Sequence, residues 1–120
     1  MQTVAHVLVG LLAALHVYIL VLEMFLWERA PGRKFSGFDA EMARRTAGLA
    51  ANQGLYNGFL AAGMIWGLIA ADPTGYRVQI FFAGCVVVAG VYGGITANRR
   101  ILLAQALPGA LTLAAVLAAG

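Results

Sequence analysis

Charge is scarce in this sequence. Only 11% of the 120 residues are Asp, Glu, Lys or Arg, against 62% hydrophobic, whereas roughly a quarter of a soluble domain is charged. Water is therefore not the main solvent of this chain. Cysteine is nearly absent as well: the single Cys85 excludes an intramolecular disulfide and a thiolate metal cage, and inside an apolar run it reads as a small packing residue. With only His6 and His16, a haem or metal site is not expected. A Glu and a His seven residues apart stand about 10 Å apart along a helix, too far for one ion. There is no Ser-His-Asp set, phosphate-cradling glycine loop or dinucleotide fingerprint, and no solenoid repeat. The residues identify no cofactor and no catalytic group.

The sequence does contain four long apolar blocks, about Thr3–Trp27, Thr46–Ala71, Tyr76–Ala97 and Ile101–Ala119. Each is close to the roughly 20 residues needed to cross a bilayer. They predict an all-α integral membrane four-helix bundle occupying residues 1–120 as a single domain. No Lys or Arg precedes the first block, and it is longer than the apolar core of a secretory signal, so we read it as a retained helix. Pro31-Gly32 is expected to end the first helix, Asp72-Pro73-Thr74-Gly75 to turn between the second and third, and Pro108 to kink the fourth.

Basic residues set the expected orientation, because Lys and Arg are retained in short cytoplasmic loops. Arg29, Arg33, Lys34, Arg44 and Arg45 lie between blocks one and two, Arg99 and Arg100 between three and four, and only Arg77 on the other side. Both termini are therefore predicted on the non-cytoplasmic side. This asymmetry accounts for the formal charge of +3 and pI near 9.5 without a nucleic-acid partner, and membrane lipid is the expected surrounding. In the connection between blocks one and two, Phe35 and Phe38 suit a lipid interface. Asp39 suits an N-cap, with Glu41 in the turn that follows. Such a connection serves as a lipid-surface link or as a lid.

An ionisable side chain near the bilayer centre costs about 2.5 to 3.5 kcal/mol on insertion scales, so polar residues inside the blocks carry the information. At about 1.5 Å per residue, Glu23, Asn52, Gln53, Thr96 and Gln105 fall about 3 to 11 Å inside the cytoplasmic edge. His16, Asn57 and Tyr92 come next. The outer half reads as Ala, Gly, Val, Leu and Ile, and His6 at its edge is given no role. The expected geometry is a polar pocket opening toward the cytoplasm. His16, Glu23 and Trp27 share one helical stripe, while Asn52 with Tyr56 and Gln53 with Asn57 are i, i+4 pairs. Gly54 and Gly58 lie on a different flank. The candidate ligand-binding residues are Glu23, His16, Trp27, Asn52, Gln53, Tyr56 and Asn57. Among them Glu23 weighs most, since a carboxyl near the membrane interior can carry a proton, act as acid or base, or anchor a cationic group; the alternative is a structural carboxyl hydrated at the interface or paired with Arg44 or Arg45.

His16, the run Leu22-Glu23-Met24-Phe25-Leu26-Trp27 and the run from Ala51 to Leu60, ANQGLYNGFL, resemble a widespread bacterial family of small four-span membrane proteins catalogued as a domain of unknown function. The resemblance covers nearly the whole chain. It implies four spans, a bacterial inner membrane and no established activity; the epimerase label attached to some relatives finds no support in these residues. A weaker similarity is to the membrane-associated glutathione and eicosanoid enzymes, whose second helix carries a basic residue, Asn, and Glu three later. Arg44, Arg45 and Asn52 echo that pattern, but Leu55 stands in the place of the Glu.

Three functions of different class follow. The first is binding or transport of a small polar or cationic solute, or a proton, at Glu23 with Asn52, Gln53 and Asn57. The second is a glutathione-transferase-like membrane enzyme using Tyr56, Tyr92 or Arg99 to orient a thiolate. The third is a structural subunit of a larger membrane complex. Charge-dependent solute movement, thiol conjugation and co-purifying partners distinguish them. We favour the first, in a homo-oligomer with part of the pocket at its interfaces.

Overall fold

A computed structural model describes residues 1–120. The chain is helical throughout, without a strand: α1 (Gln2–Met24), α2 (Ala30–Ser36), α3 (Ala40–Ile69), α4 (Thr74–Thr96), a π-helical segment (Leu102–Ala106) and α5 (Leu107–Ala119). Three stretches are long and apolar enough to cross a membrane, Gln2–Met24, Thr74–Thr96 and Leu102–Ala119. The expected second span lies within α3, which is not one of these three. Its apolar run is diluted by Glu41, Arg44 and Arg45 at the start and by Asn52, Gln53 and Asn57 further along.

Large apolar side chains are plentiful on the outside. Val7, Leu11, Phe81, Val88, Ile95, Leu103 and Leu111 are all exposed, a pattern that water would penalise and a hydrocarbon solvent would not. Small residues fill much of the interior instead, among them Ala5, Ala13, Ala43, Ala50, Ala61 and Ala83.

Local chemistry explains the boundaries. The N–H groups of Phe25 and Leu26 both donate to Val21 O, at 3.0 and 3.1 Å, and α1 stops there. This corrects the expectation that Pro31-Gly32 ends the first helix: Pro31 lies in the first turn of α2, where its missing N–H is no loss. Gly37, with φ of 78°, closes α2 by donating its N–H to Arg33 O at 2.8 Å, the left-handed termination that a Cβ would oppose. Asp39 is the expected cap of α3. Its Oδ1 accepts the Met42 N–H at 2.8 Å, and Glu41 in the next turn pairs with Arg44 at 2.7 Å.

Near the C-terminus, Pro108 lies in the first turn of α5, so the kink expected from it takes another form. The chain widens to a π register over Leu102–Ala106, with the Leu107 N–H bonded to Leu102 O. An unbroken α-helix would drive the proline ring against the carbonyl of Ala104, four residues back.

The chain divides into two compact units, one made of Met1–Ala13 with Ala62–Gly120 and the other of Ala14–Ala61. In the first, Gly75, Gln79, Ala83, Val86, Gly90 and Gly94 form the buried face of α4, a three-to-four-residue spacing that marks one side of a helix. Gly90 meets Ala106 on this face and Gly109 meets Val86. The second unit holds the candidate site.

Candidate functional site

Within Ala14–Ala61, Gly54 brings α3 close to α1. A Cβ there would lie 3.0 Å from Glu23 Cβ and 3.2 Å from Leu20 O, closer than side-chain carbons normally sit. Gly58 lies against Leu20 in the same way. Small residues at four-residue spacing let helices approach to this distance, and here the approach seals a carboxyl between them. Glu23 is 8% exposed and Asn57 is 5% exposed, so the expected separation of Gly54 and Gly58 from the polar residues of α3 does not hold for Asn57.

The two side chains are joined. Asn57 Nδ2 donates to Glu23 Oε1 at 2.6 Å and also to Gln53 O at 3.2 Å. The second bond fixes which end of the amide faces the carboxyl, since both N–H groups are now in use and only a donor points at Glu23. No Lys or Arg pairs with Glu23; the ion pair in this structure is the exposed Arg44–Glu41. A carboxyl held by one amide and by no cation can take up a proton or a small cation without first breaking a salt bridge.

His16, two turns before Glu23, is 0% exposed and partnered. Its side chain lies in the protein interior. Trp27 does not continue the helical stripe of His16 and Glu23, because α1 has already ended at Met24. It sits in the following turn, where Nε1 donates to Thr46 Oγ1 at 3.0 Å and the ring packs edge-on against Phe38, centroids 6.0 Å apart. Thr46 in turn donates to Met42 O at 2.7 Å. Trp27 therefore ties the connection carrying α2 to the start of α3. Thr46→Val should loosen this tie at a cost of about 0.5 to 1.5 kcal/mol and shift Trp27 fluorescence; an unchanged spectrum and unchanged stability would show the bond to be of no consequence.

Asn52, Gln53 and Tyr56 do not join Glu23. Asn52 and Tyr56 stand about 160° around α3 from Gly54, at 100° per residue, and Tyr56 is 50% exposed. Asn52 and Gln53 are exposed too, so the expected convergence of four polar α3 residues is corrected to Asn57 alone. Tyr92 and Thr96 are likewise exposed on α4. Phe35, Pro31 and Lys34 of α2 form a groove with Tyr18 and Leu22 of α1, so the connection is folded against the outside of α1.

The outer half also contains a buried polar residue that the expected pocket does not include. Gln79 of α4 is 4% exposed and its Nε2 donates to Gly67 O at 2.8 Å. Its helical register with Gly75, Ala83 and Gly90 was the signal that could have found it.

Residues 10–117 match the family model described as protein of unknown function, DUF1304. The chain belongs to this family. It is also 31% identical over 107 residues to an uncharacterized protein, YpaA, of Lactococcus lactis subsp. lactis (strain IL1403), a match covering 87% of this chain and 89% of that protein. No solved structure matches it. The family description carries no activity, so the chemistry of the site has to be read from Glu23, Asn57 and their neighbours.

Proposed function

We propose that the protein is a four-span membrane protein that binds or transports a small polar or cationic solute, or a proton, at the Glu23–Asn57 pair. The observation that carries this reading is a carboxyl buried between two helices and hydrogen-bonded at 2.6 Å to an amide, with no cationic partner. Carboxyls inside membrane helices are costly and recur on ion and proton pathways, which supports this reading.

In this proposal α3 is the fourth span. Its 30 residues extend about 45 Å at 1.5 Å per residue, ample for a bilayer. Seven basic residues flank one side and Arg77 alone the other, which supports cytoplasmic α2 and both termini outside, in a bacterial inner membrane. The outward Asn52, Gln53 and Tyr56 would be costly against lipid. A second copy of the chain is the partner that supports them, since amide side chains hydrogen-bond between membrane helices.

Native mass spectrometry of protein gently extracted from its own membrane tests the solute reading. Wild type is expected to retain a small molecule that Glu23→Gln loses, both as the same homo-oligomer. For a proton, proteoliposomes are expected to take up acid through wild type and not through Glu23→Gln. An empty oligomer together with tight liposomes from wild type would overturn the proposal, and co-purifying foreign subunits would favour a structural role.

A further inference from the structure

The unit formed by Met1–Ala13 and Ala62–Gly120 contains a second polar site that shares no residue with Glu23 and Asn57. A cavity of about 250 Å³ is lined by Gln2, His6, Asp72, Tyr76 and Gln79, with apolar wall from Val116. This is room for a small solute. Its position is unexpected, because these residues come from the ends of sequence blocks that otherwise contain little but Ala, Gly, Val, Leu and Ile.

Two of the polar groups are held in place. The Gln79 amide is anchored through Nε2 to Gly67 O at 2.8 Å, which turns its carbonyl oxygen away from that bond and leaves it as an acceptor. Asp72 Oδ1 accepts the Tyr76 N–H at 3.1 Å, so the carboxylate is oriented by the start of α4 while its second oxygen remains available. The Tyr76 hydroxyl is a third acceptor on the same cavity wall. No Lys or Arg lines the cavity.

This set discriminates among ligands. An anion would meet the Asp72 carboxylate with no Lys or Arg to hold it, only the His6 imidazole. A hydrocarbon would leave the Asp72 carboxylate and the Gln79 amide facing an apolar group. A quaternary ammonium is favoured by a cage of several aromatic faces, whereas Tyr76 is the single phenolic ring here. A primary ammonium presents three N–H donors. We propose that this cavity binds a primary ammonium group, with Asp72 as its charge partner and with Tyr76 and Gln79 as its remaining acceptors. Free amines and the ethanolamine headgroup of a phospholipid both present that group.

The two sources are separated by nanodiscs of different composition. In discs of phosphatidylcholine alone, titration with ethylammonium is expected to shift the side-chain amide resonance of Gln79 saturably. Asp72→Asn keeps an oxygen for the Tyr76 N–H but removes the charge, and should weaken binding about tenfold or more. Tyr76→Phe should weaken it by about threefold, and Glu23→Gln should leave it unchanged. In discs containing phosphatidylethanolamine without added amine, a shifted Gln79 resonance assigns the headgroup as the natural occupant, and an unshifted one assigns a free amine. The proposal is overturned if neither ethylammonium nor phosphatidylethanolamine moves the resonance, if Asp72→Asn and wild type bind equally, or if tetramethylammonium competes as well as ethylammonium.

Discussion

Asn57→Leu is expected to destabilise the protein by about 1 to 3 kcal/mol, because it leaves a buried carboxyl without its donor. The leucine itself is well suited to a membrane helix, so the loss comes from Glu23 and not from the substituted position. Glu23→Leu alone should be milder, since the stranded Asn57 amide still has Gln53 O as acceptor at 3.2 Å. The double substitution should recover most of the stability, as removing both partners of a buried hydrogen bond is nearly neutral when shape is kept. Interhelical hydrogen bonds in membranes couple by about 0.6 kcal/mol on average and up to about 1.7. The 2.6 Å distance argues for the upper part of that range. Reversible unfolding in mixed micelles across the four proteins gives the coupling directly. Additive single effects would mean that the pair is a contact without energetic weight, and the binding proposal would lose its structural basis.

Gly90→Ala is the second large effect. A Cβ at this position would sit 2.6 Å from Ala106 Cα and 2.9 Å from its Cβ, and a main chain cannot move aside as the tip of a side chain can. The segment carrying Ala106 is the π-helical stretch ahead of Pro108, already adjusted to the proline. Separating α4 from it should cost about 1 to 3 kcal/mol, the usual range for an overpacked core. Gly84 in the same helix is the control, since nothing lies within 4 Å of its added Cβ. Gly84→Ala should be neutral or stabilise by up to about 1 kcal/mol through helix propensity. Equal melting behaviour of the two variants would show that α4 and the π-helical segment are not in the close contact described.

The opposite signs expected for two glycines six residues apart in one helix show where sequence reading stops. Both belong to the same apolar block and both look like small packing residues. Only the neighbouring chain distinguishes them, and it is contributed by residues beyond Arg99.

The same limit governed the candidate site. Glu23 was legible because a lone carboxyl in an apolar block stands out whatever surrounds it, and Asn57 because it shares a helix with other amides. That Asn57 alone would reach Glu23 was not legible. Asn52, Gln53, Tyr56 and Asn57 cover a wide arc of α3, and nothing in their spacing says which edge of the arc faces α1. The choice was made by Gly54 and Gly58, which admit Leu20 and Glu23 and carry Asn57 in with them. Trp27 failed for a local reason, since α1 ends three residues before it and a helical phase cannot be extended past the last helical residue. Gln79 is less legible because it lies in the outer, mostly apolar half of its block, and its register on the buried face of α4 is the one signal that marks it.

What the sequence by itself determined is what depends on near neighbours and on solvent. The apolar blocks, the turn at Asp72-Pro73 and the Asp39 cap follow from side chains and main chain within a few residues of each other, and the preference for a hydrocarbon surrounding follows from composition. What only the tertiary structure decided is which polar groups meet: Glu23 with Asn57, Trp27 with Thr46, and Gln79 with Asp72 and Tyr76 around one cavity. Each grouping depends on the rotation of one helix against another or on how the chain turns back between them. That rotation is set by where small residues allow close approach, a property of two surfaces together that neither stretch of sequence carries alone.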